Sequence, residues 1–250
     1  MTESIFKNYL NEVKDVLDGN PGKRKAIFLN ENPPPQFDGV GVVSRLYKSL
    51  ACDGWKTSSG KNWKWRTKVP SYKTTSPEVA LEREIVASDT TSKWTCQMST
   101  SSGIQGPYLN KRRAIDLVRQ TAPDQYAFIE LKVNSDNPLY AAFEILGYAL
   151  AYQHARSHDW QGTGYHNVMS AKEINLIVLG PREWYQYKKG MAHPENYKFN
   201  YDWLSNGLTE GLNILTNGDP EMSLSFGKFT DFGDPNITAV SIVSGEVGDI

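Results

Sequence analysis

The sequence predicts an α/β protein: a mixed central sheet flanked by helices. Three observations carry this expectation. Short stretches rich in β-branched and aromatic residues ("KWTCQMSTS", "RRAIDLVRQ", "YAFIELKV", "EINLIVLG") read as strands. Between and around them lie stretches whose apolar residues recur at helical spacing. From residue 76 to residue 180 the order is helix, strand, strand, strand, helix, strand, which calls for a sheet of mixed direction.

Taken in chain order, residues 5–17 space Ile5, Phe6, Leu10, Val13, Val16 and Leu17 as a helix does, and "GNPGKRK" ends it. "AIFLN" suits a short strand, "ENPPPQ" a rigid extended connector, and "GVVSRLYKSLACDGW" a second helix. "SPEVALEREIVAS" starts as a helix should, with Ser76 as N-cap, Pro77 in the first turn and Glu78 close behind. The first two strands, "KWTCQMSTS" and "RRAIDLVRQ", are joined by a long link containing Gly and Pro, and "YAFIELKV" follows. Asn137 and Pro138 then open an apolar helix reaching about residue 153. "EINLIVLG" has the continuous apolar content of a buried strand, "YDWLSNGLTEGLNIL" reads as a last helix, and "NITAVSIVSGEV" suits a terminal strand.

The chain has 250 residues, 39% hydrophobic and 22% charged, enough for one well-cored domain with extensions or for two small ones. A net charge of -1 gives no global sign of nucleic-acid binding, so any basic surface has to be local. Cys52 and Cys96 make neither a disulfide framework nor a metal-ligand spacing. The opening "MTESIFKNYLNEVKDVL" lacks a signal-peptide pattern and no apolar run has bilayer length, so a cytoplasmic location is expected.

Two charged positions stand out against their apolar surroundings. Glu130 and Lys132 lie two apart in "FIELKV", so on a strand they share a face, opposite to Ile129, Leu131 and Val133. Asp116 sits mid-strand in "AIDLV". A buried charge needs a partner or a use. A structural ion pair or an exposed edge strand explains Glu130 and Lys132 taken alone. Two acids converging from neighbouring strands instead make a hard-oxygen site suited to Mg²⁺ or Mn²⁺, beside a lysine able to orient water and offset developing charge.

An aspartate followed, after about a dozen residues, by Glu-x-Lys resembles the PD-(D/E)xK, or restriction-endonuclease-like, nuclease superfamily. The resemblance rests on "AIDLV" and "FIELKV" and spans residues 76–180; Ile115 stands where the family has proline. It implies a restriction-endonuclease-like core over residues 76–185. The basic, helical residues 1–75 and the C-terminal residues 186–250 would be additions packed on the same domain. It further implies Asp116 and Glu130 as metal ligands with the Leu131 carbonyl, and Lys132 as the residue that positions or activates water. The family often adds a glutamate from the helix before the first core strand. At about 100° per residue, Val79, Leu81, Ile85 and Val86 define an arc that includes Glu82 and leaves Glu84 outside. Some branches carry Gln-x-x-x-Tyr on the following helix, where this chain has Glu144 and Tyr148; a surface acid and a core tyrosine explain that pair equally well.

Residues 56–73 hold six basic residues (Lys56, Lys61, Lys64, Arg66, Lys68 and Lys73) and no acidic one, with Trp63 and Trp65 interleaved. Such a stretch suits a phosphate backbone with base stacking, or a solvated loop with its tryptophans in the core. Arg112 and Arg113, just before the Asp116 strand, are further phosphate-contact candidates. His154 and His158 at i, i+4, followed by Asp159, fit a helix C-terminus better than a metal site, because no cysteine or third histidine is near in sequence. A Gly-rich phosphate loop, a serine elbow and a dinucleotide fingerprint are all missing.

The expected function is therefore Mg²⁺- or Mn²⁺-dependent phosphodiester hydrolysis, with DNA favoured over RNA, in restriction, defence or repair. Cutting both strands of a duplex would favour a homodimer. The alternative is a catalytically inactive nucleic-acid-binding or scaffolding protein on the same fold, and such proteins usually lose a metal acid or the lysine.

Overall fold

The computed structural model describes residues 37–52, 62–66, 68–69, 73–100, 114–133, 138–158, 167–180, 201–229 and 247–249. The expected helix at 5–17 and strand at "AIFLN" lie outside these residues. Among them run α1 (Gly39–Cys52), α2 (Pro77–Ser88), β1 (Trp94–Ser99), β2 (Ala114–Ala122), β3 (Gln125–Leu131) and α3 (Pro138–His158). A single 3-10 turn (Asn167–Ser170), β4 (Glu173–Gly180), α4 (Asp202–Thr216), β5 (Glu221–Phe229) and β6 (Val247–Asp249) complete them. None of the described helices is long and apolar enough to cross a membrane.

The six strands form one sheet in chain order, β1 to β6. β1–β2 and β2–β3 are antiparallel, β3–β4 and β4–β5 are parallel, and β5–β6 is antiparallel. Parallel neighbours need a crossover, and α3 and α4 supply the two that are required. β2 and β3 need only a tight turn, in which Asp124 takes a left-handed φ of 58°. Ser76 caps α2 by accepting from the Val79 N–H, with proline at the start of the helix.

Two boundaries and one whole strand differ from expectation. β3 ends at Leu131, one residue short of Lys132, although the Lys132 N–H still donates to the Leu179 carbonyl at 2.9 Å. α3 continues to His158, its last turn held by Ser157 Oγ donating to the Gln153 carbonyl. β5 has no counterpart in the expected elements, although Met222, Leu224 and Phe226 alternate there with polar residues. Of the expected terminal strand, only its last residue, Val247, is described, and it opens β6.

Both faces of the sheet are covered. On one, Val118, Phe128, Ile174 and Leu176 pack with α1, α3 and α4, and the Tyr152 ring meets Phe128 edge-on at 5.5 Å. On the other, Ile85 and Val86 of α2 pack on Cys96, Leu117, Ile129 and Leu179. α1 and α4 cross where both backbones carry glycine. A Cβ built on Gly39 would lie 2.1 Å from the Gly207 carbonyl carbon, so no side chain fits at this crossing. Gly39→Ala should destabilise by about 1–3 kcal/mol in urea unfolding. A change below about 0.5 kcal/mol, within the range of ordinary surface substitutions, would show that the two helices do not meet so closely.

Candidate active site

The register between β2 and β3 builds the centre of the site. Leu117 pairs with Ile129 and Val118 with Phe128, and one step further the same register sets Asp116 opposite Glu130. Directly opposed residues of an antiparallel pair share a face. Lys132, two residues on from Glu130, follows on that face. Its Nζ lies 2.7 Å from Glu130 Oε1 and 2.9 Å from Glu144 Oε2. Glu130 is 2% exposed, Lys132 8% and Glu82 1%. Asp116 is partly buried, and its Oδ2 accepts from the Leu131 N–H at 2.9 Å, which fixes its carboxylate against the backbone between Glu130 and Lys132.

Glu82 reaches the cluster from α2, where Gln97 Nε2 donates to its Oε2, while Glu84 is exposed. Glu78, one helical turn earlier, accepts from the Val133 N–H at 3.2 Å and so ties the end of the Glu130–Lys132 segment to α2. Glu144 on α3 is the second carboxylate at Lys132. Tyr148, one turn on, is buried in the core on that side of the sheet.

The electrostatics follow from crowding five carboxylates round one ammonium group. Burial, then the Asp116 charge, push Glu82 up to about 9 against the Gln97 hydrogen bond, with Glu78 adding to the rise and Lys132 opposing it. Burial also raises Asp116, to about 6, although Lys132 and the Leu131 N–H pull it down. Glu130 is driven well above the carboxylate range by burial and by Asp116. For Lys132, burial works against the charge, but Glu130, Glu144 and Asp116 together hold its pKa well above the ordinary lysine value.

These directions predict a pH dependence. The folded protein keeps its Glu82 and Asp116 protons to higher pH than the unfolded chain does. The stability they contribute is therefore full below the ordinary carboxylate range and is lost as pH rises through about 6 and then about 9. Without divalent cations, the melting temperature should fall over that window, and Glu82→Gln should flatten its upper part. A melting temperature that climbs from pH 6 to 9 would contradict the crowding.

Whether these residues suit a divalent cation can be judged from the donors. All are hard oxygens. Glu130 Oε2 is buried with no hydrogen-bond partner among the described residues, and the carboxylates outnumber the one lysine. No three acidic, histidine or cysteine side chains among the described residues already converge as a coordination shell. The Leu131 N–H and Gln97 each engage one acid, and Lys132 engages two, Glu130 and Glu144. The donor set and its excess charge fit Mg²⁺ or Mn²⁺.

The basic-aromatic stretch divides. Trp63 is 0% exposed and meets Tyr152 edge-on at 5.5 Å, so its ring belongs to the core and is not free to stack on a base. Trp65 is half-buried against the same core, 6.1 Å from Tyr126. Lys64, Arg66, Lys68 and Lys73 are exposed. The stretch is pinned along the outer edge of β1: the Trp63 N–H donates to the Ser99 carbonyl at 2.8 Å, and the Arg66 N–H to Thr95 Oγ1 at 3.0 Å. Lys56, Lys61, Arg112 and Arg113 lie outside the described residues. His154 and His158 stack at 4.2 Å near the end of α3, with His158 Nδ1 3.0 Å from the His154 carbonyl.

Sequence reasoning missed Gln97 and Glu78. The signal for Gln97 was a polar residue between Cys96 and Met98 in an apolar strand, and for Glu78 its place one turn before Glu82 on the same helical face. Comparison of the chain with protein-family models, with curated proteins and with solved structures finds no match in any of the three.

Proposed function

We propose that this chain is a Mg²⁺- or Mn²⁺-dependent nuclease, built on a restriction-endonuclease-like core and hydrolysing the phosphodiester bonds of DNA in preference to RNA. The observation that carries the reading is the meeting of Asp116, Glu130 and Lys132 at adjacent strands, with Lys132 Nζ 2.7 Å from Glu130. Asp116, Glu130, the Leu131 carbonyl and Glu82 would hold the cation. When bound, it would neutralise phosphate charge and activate a water molecule.

The chain's own residues do the rest. The Leu131 N–H keeps Asp116 in one orientation. Lys132, held charged by its carboxylate neighbours, orients water and offsets the negative charge that develops on the phosphate. Glu144, 2.9 Å from Lys132 Nζ, would hold the ammonium in place alongside a Glu130 that also serves the cation. Lys64, Arg66 and Lys68, displayed along the β1 edge, provide the local basic surface that a chain of near-zero net charge needs to hold a phosphate backbone. A role in restriction, defence or repair belongs to the same proposal.

Incubation with supercoiled plasmid, linear duplex, single-stranded DNA and RNA, each with Mg²⁺, Mn²⁺ or chelator, tests it. Cleavage only with the cation supports the reading. Nucleic-acid binding without cleavage under any of these conditions would favour the inactive binding protein instead. Replacing Lys64, Arg66 and Lys68 with alanine should weaken binding and reduce the salt slope by about 1 per lost phosphate contact, with near-normal rates at saturating substrate. An unchanged slope would take the β1 edge out of the nucleic-acid surface.

A further inference from the structure

Gln97 lies in the middle of β1, yet its φ is 53°, in the left-handed region that long side chains rarely occupy. The twist has a visible consequence. Regular alternation would put Met98 on the same face as Trp94 and Cys96. Instead Trp94 and Cys96 join the core on the α2 side, while Met98 joins the core on the α3 side. Gln97 alone drops out of the β1–β2 pairing, between Cys96 opposite Leu117 and Met98 opposite Ile115, which leaves it alongside Asp116. Its amide Nε2 donates to Glu82 Oε2. The backbone on either side is fixed from the outer edge, by Trp63 at Ser99 and Arg66 at Thr95. A disfavoured conformation held this firmly is more common at functional sites than in plain scaffold.

We propose that Gln97 is a positioning residue for the cation site: its left-handed twist aims the amide at Glu82 and holds that carboxyl group toward Asp116 and Glu130. One amide donor engages one Glu82 oxygen and leaves the other for a cation. The inference rests on reading the Asp116–Glu130 cluster as a cation site.

Two variants of the whole chain test it, Gln97→Gly and Gln97→Asn. Both residues accept a left-handed φ, so the fold is kept, but glycine has no amide and asparagine is one methylene too short. The measurements are the Mn²⁺ dissociation constant by titration calorimetry and the melting temperature. The expected result is Mn²⁺ binding weakened about tenfold or more in both variants, with a melting temperature equal to or above the parent's. Affinity unchanged in both variants would overturn the role of Gln97 while leaving the cation site standing. Weakened affinity accompanied by a lowered melting temperature in both would also overturn it, because Gln97 would then be a structural residue. A parent protein that binds no Mn²⁺ would overturn the cation-site reading and this inference with it.

Discussion

Asp116→Asn is expected to abolish cleavage, lowering the single-turnover rate on the order of 10³-fold or more, while the protein keeps or gains thermal stability. The two halves of this expectation have one physical source. Asparagine can still accept from the Leu131 N–H, so the local backbone keeps its partner. It removes the charge that raises both Glu82 and Glu130, so the cation-free fold is relieved of like-charge crowding. A cation would lose one of its few anionic donors. Glu130→Ala should be as inactive, with the difference that it also opens a cavity and leaves Lys132 to Glu144 alone. Melting curves and single-turnover assays on one preparation check both halves. An Asp116→Asn protein that cuts at the parent rate would remove Asp116 from the chemistry.

Lys132→Ala is the second large effect. Turnover should fall by about 10²–10⁴-fold while nucleic-acid binding stays largely intact, since affinity comes mainly from backbone contacts elsewhere. Deleting one partner of a buried ion pair can cost about 3–5 kcal/mol, because Glu130 and Glu144 lose their counter-charge. The double variant Lys132→Met with Glu144→Gln removes one positive and one negative charge together, so it keeps the comparison meaningful if the single variant melts. It should be as slow as Lys132→Ala. Parent-like cleavage by either would make Lys132 a structural partner of Glu130 and nothing more.

Much of this site was legible from periodicity. Two-residue alternation placed Glu130 and Lys132 on one face before any strand pairing was known, and the helical arc separated Glu82 from Glu84. The structure has Glu82 buried and Glu84 exposed. What alternation could not supply was the register that sets Asp116 opposite Glu130, because register depends on the β2–β3 turn and on packing across the whole sheet. Gln97 stayed hidden for a related reason: its left-handed backbone breaks the very alternation that reading a strand assumes. Glu144 was visible as an acid at the right spacing, but its contact with Lys132 joins α3 to the end of β3, a tertiary fact. Trp63 shows the limit of composition. The same residues suit a stacking platform and a buried core, and only the position of Tyr152 puts Trp63 inside.

The central claim is that Asp116, Glu130 and Lys132 form a cation-dependent phosphodiester-cleaving site. Its most direct test is single-turnover DNA cleavage by the parent protein and Asp116→Asn, each titrated with Mg²⁺ from chelated to saturating. The account predicts a parent rate that rises from background and saturates with Mg²⁺, and an Asp116→Asn rate that stays at background throughout. Cleavage by the parent at full rate in chelator, or equal Mg²⁺ curves for the two proteins, would contradict it.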